Sequence, residues 1–317
     1  VELYTNTVVS ACQMADGRVT HVLIESKDGL QALAAGTVID ATGDGLVCRR
    51  AGVPMQVSAG GMQPMSLCFL LRNVDVTTAL LRDHIHHTGL HGQSKHMGIY
   101  HALQRLAEQG EDVPQFGGPW FNSTMQEDLI CVNITRAAAN AADRAQLTQA
   151  ECRMREDAYK LVALLRKLYP EFAKASIAEI AAQGGVRETY HIRGLYTLSG
   201  ADILGGAPCA DGVAFCSHPV DIHSAQDNTQ TAQYFDTPCP VPYRVMVAAG
   251  FDNLIAAGRC VSCVDEAYAS MRVQGTCMAI GEAAGVAAAM RRETGCAVTA
   301  VNTDDLRARL QKQGAIV

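Results

Sequence analysis

The chain opens on alternating hydrophobic and polar positions. Glu2 to Met14 and Arg18 to Lys27 alternate with period two, and Asp16-Gly17 and Asp28-Gly29 follow them, a pattern that predicts hairpin strands. Thr37 to Ala41 reads as a short apolar strand running into Thr42-Gly43-Asp44-Gly45, where glycine permits a sharp turn and close backbone approach. Beyond Gly60 the pattern changes. Met65 to Leu71 is strand-like. Thr148-Gln149-Ala150-Glu151 has the form of a capping box that starts a helix with Met154, Ala158, Leu161, Leu165 and Leu168 on one face, stopped by Pro170. Val186 to Leu198 and Gly212 to His223 mix strand formers with Arg, Glu, His and Asp. Tyr243 to Val247 and Asn253 to Ala257 read as strands again. Gly275 to Gly285 opens a helix rich in Gly and Ala, whose lack of large side chains predicts very close packing on a neighbour. A last helix, capped by Thr303 with Asp304 and Asp305 in its first turn, buries Leu306 and Leu310 and ends near Gly314.

This order predicts an α/β protein in which a first domain, 1–58 and 246–317, is interrupted by an α+β domain over 59–245. With 317 residues the chain can bury a sizeable core. Lys and Arg total 26 against 32 Asp and Glu, a net charge of −6 with no basic block, which argues against nucleic acid as a partner. The least polar stretch, Ala267 to Met290, is broken by Arg272, Gln274 and Glu282, so no membrane span and no membrane partner are predicted. The 12 cysteines are scattered, which fits reduced thiols and a cytoplasmic location. Cys260 and Cys263 are a close pair, but without a second pair they make half a zinc site, so packed thiols are the better reading.

Several side chains are candidates for chemistry. Arg187, Thr189, His191 and Arg193 would share one face of a strand, with Glu188 opposite; two fixed cations and one titratable ring could bind an organic carboxylate and move a proton. A solvated face with ion pairs is the plainer alternative. Asp221 and His223, two residues apart, form a second carboxylate and imidazole candidate. His84, His86, His87, His91, His96 and His101 invite a metal reading. They are placed at a helix end and in the loop after it, where the helix dipole favours histidine anyway, so no metal is predicted.

Three segments, IDATGDG (39–45), VRETYHIRGLYTL (186–198) and NLIAAGRCVSC with SMRVQGTCMAIGEAAGVAAA (253–289), together resemble the FAD-dependent oxidoreductase family, whose flavin domain is like that of glutathione reductase and distantly like fumarate reductase flavoproteins. The resemblance implies a Rossmann-like FAD domain, here incomplete, with an inserted substrate domain. It implies cofactor contacts from Ala41, Thr42, Gly43 and Asp44, from Gly258 and Arg259, and from Gly275, Thr276, Cys277 and Met278, the last group at a helix start that stabilises negative charge on reduced flavin. Arg187, His191, Arg193 and His223 are then the catalytic candidates, acting with FAD on a small organic, carboxylate-bearing substrate. Related flavin domains usually carry Gly-Asp where Gly258-Arg259 stands, and the resemblance expects a His where Asp265 stands. The G-x-G-x-x-G turn that grips the FAD pyrophosphate is not in the sequence. The chain is therefore expected to be the later part of a longer flavoprotein, inactive alone and holding FAD weakly if at all, with an uncovered sheet edge that a second copy could cover in a homo-oligomer. A cofactor-free binding or structural module is the alternative that the residues by themselves leave open.

Overall fold

The structure, a computed structural model, describes residues 1–58, 61–78, 80–81, 96–206 and 209–317. In chain order it forms β1 (Val8–Ala15), β2 (Arg18–Ser26), β3 (Gly29–Ala34), β4 (Val38–Asp40), α1 (Leu46–Arg50), β5 (Met55–Gln56), β6 (Phe69–Arg72), α2 (Met97–Glu108), β7 (Phe116–Ser123) and β8 (Leu129–Thr135). There follow α3 (Arg144–Leu168), β9 (Ser176–Ile180), β10 (His191–Ile192), α4 (Gly200–Gly205), β11 (Gly212–Cys216), β12 (Val220–His223), β13 (Gln230–Gln233) and β14 (Cys239–Pro242). The last elements are β15 (Leu254–Ala256), α5 (Asp265–Met271), α6 (Gln274–Thr294) and α7 (Thr303–Lys312). The chain divides into two compact units, one of residues 1–61, 189–222 and 231–317, the other of residues 62–188 and 223–230. This division draws the inserted segment more narrowly than the change of sequence pattern does, because residues 189–222 and 231–245 pack within the first unit.

In the first unit β4 and β15 run parallel, with Val38 opposite Leu254 and Asp40 opposite Ala256. The meander β1-β2-β3 is antiparallel. Asn253 pins it to the start of β15: its side-chain carbonyl accepts from Val19 N at 2.9 Å, and its amide donates to Val19 O at 2.8 Å and Gly36 O at 3.1 Å, which satisfies a side chain that is 1% exposed. The larger apolar cluster joins Ile255, Ala257, Tyr268, Ile280, Ala283, Ala287, Leu306 and Leu310. In the second unit four antiparallel strands stand in the order β7-β8-β6-β9. One face, with Phe69, Leu71, Ile130 and Val132, is buried under Leu103 of α2 and Leu161 and Leu165 of α3. The period of two puts Cys68, Leu70 and Cys131 on the other face, where all three are half-buried.

Several expectations are corrected. The first strand begins only at Val8. The long helix starts a turn before the predicted box. Asp143 is its cap, accepting from Gln146 N at 2.9 Å, while Thr148 lies inside the helix and donates to Arg144 O at 2.8 Å. Asn302, not Thr303, caps α7, because its side chain reaches both Asp304 N and Asp305 N. Tyr243–Val245 is a single 3-10 turn after β14, not a strand. The Gly and Ala helix does not bring its glycines against a neighbour. Ala283, Ala284 and Ala287 are buried, whereas a Cβ added at Gly275, Gly281 or Gly285 would meet nothing within 4 Å. His84, His86, His87 and His91 lie outside the described residues. His96 is the cap of α2, with its Nδ1 accepting from Ile99 N, and His101 sits on the exposed side of that helix.

Candidate functional site

The carboxyl ends of the parallel strands β4 and β15 shape the first cluster. Asp40, fully buried at the end of β4, fixes the turn that follows: one carboxylate oxygen accepts from Thr42 N at 3.1 Å and Thr42 Oγ1 at 2.7 Å, the other from Cys48 N at 2.8 Å. Thr42 Oγ1 in turn accepts from Leu46 N at 3.1 Å, so α1 starts directly from the turn. Ala41 and Thr42 are exposed. Gly43 has φ +78°, and a Cβ there would stand 2.6 Å from Arg259 NH2. Gly258 also has positive φ, and it carries the chain from β15 to Arg259.

Arg259 ties the segments together. Its guanidinium pairs with Asp44 Oδ1 at 3.2 Å, and Thr189 Oγ1 donates to the same oxygen at 2.9 Å. The first turn of α6 lies within reach of the same cation. Burial pushes the Cys277 thiol up, and the Arg259 charge acts against that shift. No side chain caps α6; Gly275 and Met278 are exposed there and Thr276 is buried. Free N–H groups and the positive dipole end make this start favourable for negative charge.

The residues expected on one strand between 187 and 193 do not share one. Only His191–Ile192 pairs, with Met55–Gln56, and the division between units falls between Glu188 and Thr189. The charged segment forms no ladder and takes its partners singly. In the first unit His191 is buried, its ring edge-on to Tyr268 at 4.6 Å and its Nδ1 3.8 Å from Cys263 Sγ. Arg193 is exposed, and its backbone N–H donates to Pro54 O at 2.8 Å. Asp221 forms an ion pair with Arg272 at 2.9 Å. Cys260 and Cys263 face different ways: Cys260 Sγ lies near Asp40 O and Ala257 O, and burial pushes its thiol up to about 12.

In the second unit Arg187 donates to Pro64 O at 2.6 Å and Ser66 Oγ at 2.9 Å. His223 belongs to a buried cluster that the sequence reading did not assemble. Arg136, 1% exposed, gives NH1 to Asp227 O and Thr229 O and NH2 to His223 Nδ1 at 3.1 Å. Guanidinium only donates, so Nδ1 is the acceptor and the neutral ring keeps its proton on Nε2. Trp120 stands edge-on to this ring at 5.9 Å. Gln63 accepts from His223 N at 3.2 Å and donates from its own N to Glu188 Oε2 at 2.9 Å. The available signal was Arg136, a lone cation closing the apolar strand Leu129–Thr135, with Gly117 leaving it room: a Cβ at Gly117 would stand 2.6 Å from NH2. Among the described residues no group of three or more His, Cys, Asp or Glu could hold a metal, and no helix is long and apolar enough to cross a membrane.

No curated protein matches the chain. Among solved structures it is similar to a geranylgeranyl bacteriochlorophyll reductase-like protein of Thermoplasma acidophilum, at 12% identity and a TM-score of 0.42, over 98% of this chain and 54% of that one. The chain thus spans about half the length of that protein. The family model described as FAD dependent oxidoreductase matches residues 1–310, nearly the whole chain. By that match the chain belongs to the FAD-dependent oxidoreductases, an enzyme family of α/β flavoproteins with FAD as cofactor.

Proposed function

We propose that the protein transfers a hydride between FAD and a small, carboxylate-bearing organic molecule, with the flavin end of the cofactor held by the first unit. The observation that carries this reading is that Arg259, beside the positive-φ Gly258, meets the Gly43-Asp44 turn, and that the uncapped start of α6 lies near the same cation. The residues fit such a group. Positive-φ glycines at the ends of parallel strands allow close backbone approach, and open space lies over Gly275. Bound FAD supplies the site that accepts or gives up the hydride. Around it, the first-turn N–H groups of α6 favour negative charge at the flavin pyrimidine edge, and Arg259 holds the Asp44 turn in place.

Each unit also carries candidates for work on the substrate. In the second, Arg187 offers a guanidinium suited to a carboxylate, and His223, held by Arg136 with its proton on Nε2, is the group to hold or give a proton. His191 and Arg193, in the first unit, complete the set of catalytic candidates. The pyrophosphate grip lies in no residue of 1–317, since no G-x-G-x-x-G occurs there. The test is flavin titration of the chain and of Arg259→Met by fluorescence. Binding by the parent that falls about tenfold or more in the variant supports the placement. Equal binding by both moves the flavin elsewhere.

A further inference from the structure

The open face of the second unit's sheet carries two thiols side by side. Leu70 of β6 stands opposite Cys131 of β8, so Cys68, two residues earlier, shares the face with Cys131 one step along the diagonal. The two sulfurs are near enough for the Cys68 proton to act on Cys131 as a hydrogen-bond donor, and both residues are half-buried and so within reach of small reagents. The Arg187 guanidinium lies close enough for its charge to act on Cys68. Cys68 precedes the first residue of β6, and its carbonyl accepts from Ala181 N at 3.0 Å.

We propose that Cys68 and Cys131 form a redox-active dithiol that reacts with low-molecular-weight disulfides. The Cys131 thiolate attacks one sulfur of R–S–S–R, forming a mixed disulfide and releasing R–S⁻. The Cys68 sulfur, giving up its proton, then attacks Cys131 Sγ and releases the second R–S⁻. The two thiol protons pass to the two released thiolates, so the protein loses two electrons to the reagent and one disulfide becomes two thiols. The order of attack follows from the hydrogen bond. The contact with Cys68 stabilises the Cys131 thiolate and brings its pKa down to about 7, whereas Cys68, as donor and partly buried, is pushed up. Burial pushes up the thiols of Cys12, Cys48, Cys216, Cys239, Cys260 and Cys277, which leaves them poor competitors. The reaction does not depend on bound flavin.

Trypsin makes the test clean, because Cys68 falls in the peptide 51–72 and Cys131 in 106–136, each with no other cysteine. The folded chain is exposed at neutral pH to excess glutathione disulfide, quenched with iodoacetamide and digested. The expected product is the two peptides joined, lighter than their sum by two hydrogens. Recovery of both cysteines as separate glutathione adducts or alkylated thiols, or joined to other cysteines, overturns the proposal. Iodoacetamide labelling of Cys131 should also show a pH inflection near 7 that moves up towards the ordinary ~8.5 in Cys68→Ala. Thiolate nucleophilicity rises with pKa, so the rate at neutral pH falls only about threefold. An inflection unchanged by Cys68→Ala overturns the pairing, and the linked-peptide result in the parent chain decides the matter should that variant not fold.

Discussion

Replacing Gly43 by alanine should disturb two things at once. The first is backbone conformation: φ is +78°, and an L-residue in the left-handed region costs about 1–2 kcal/mol. The second is the contact with Arg259, whose NH2, Nε and Cζ would lie 2.6, 3.0 and 3.1 Å from the new methyl. A guanidinium is the mobile end of a long side chain, so it gives way and the Asp44 pair is lost. That pair is partly exposed and contributes about 0–1 kcal/mol. The total expected loss is then roughly 1–3 kcal/mol in urea unfolding. A cycle with Arg259→Ala separates the parts. In that background the methyl meets no guanidinium and the pair is already gone, so Gly43→Ala should cost only the conformational part, roughly 1–2 kcal/mol. Equal losses in both backgrounds would refute the Arg259 contact, and no loss in either would refute the left-handed turn.

Gly275→Val should lower flavin occupancy of the holoprotein with little change in unfolding midpoint, since the added side chain fills space that no protein atom occupies; unchanged flavin content counts against placing the cofactor there. His223→Gln should reduce turnover by about 10²–10⁴-fold if the ring moves a proton, while bound FAD stays the same, as read from absorbance and steady-state rates. Arg244 clamps Asp211 through Nε at 2.9 Å and NH2 at 3.1 Å. The Asp211 carboxyl feels burial, which works against ionisation, but the bonds from Arg244 outweigh it and hold the pKa below the ordinary value. Its stabilisation is therefore complete above about pH 4, the usual unfolded value, and is lost as pH falls through the lower folded value. Arg244→Met should flatten that acid-side fall in a series of urea melts, and an unaltered acid limb would contradict the assignment. The chain should bind FAD far more weakly than flavoproteins that carry a G-x-G-x-x-G turn do, because that turn does not occur in its sequence; tight, stoichiometric FAD in the purified 317-residue chain would refute this.

Local patterns in the sequence foretold the first hairpin, the β4 turn, the body of the long helix and α6, because each rests on a short-range cause: Asp-Gly at a hairpin, glycine after a strand, apolar spacing on one face; the third strand of the meander, Gly29–Ala34, was missed. Errors gathered where neighbouring residues compete for one role or where a distant contact decides. Asp143 and Asn302 took the caps that a motif assigned to Thr148 and Thr303, since several residues near a helix start can accept from its N–H groups and geometry picks one. The run from Arg187 to Arg193 looked like one face of one strand, yet the partners of Arg187 lie at Pro64 and Ser66, and His191 packs against Tyr268. Arg136 escaped notice because its one local mark, a lone cation after the apolar strand Leu129–Thr135, says nothing of its partners. Its acceptors are Asp227, Thr229 and His223, about ninety residues on. Arg259 stood out as a departure from a usual motif, but its pairing with Asp44 needed the fold.

The outward glycines of α6 have a thermodynamic consequence. In the middle of a helix glycine is less favourable than alanine by about 0.8–1.0 kcal/mol, and at Gly281 and Gly285 no neighbour forbids a methyl group. The helix therefore forgoes about 1.6–2 kcal/mol that two substitutions would restore. It carries unused thermal headroom, and Gly281→Ala with Gly285→Ala should raise the melting temperature by several degrees. Engineers seeking a sturdier form of this chain have their starting point at those two positions.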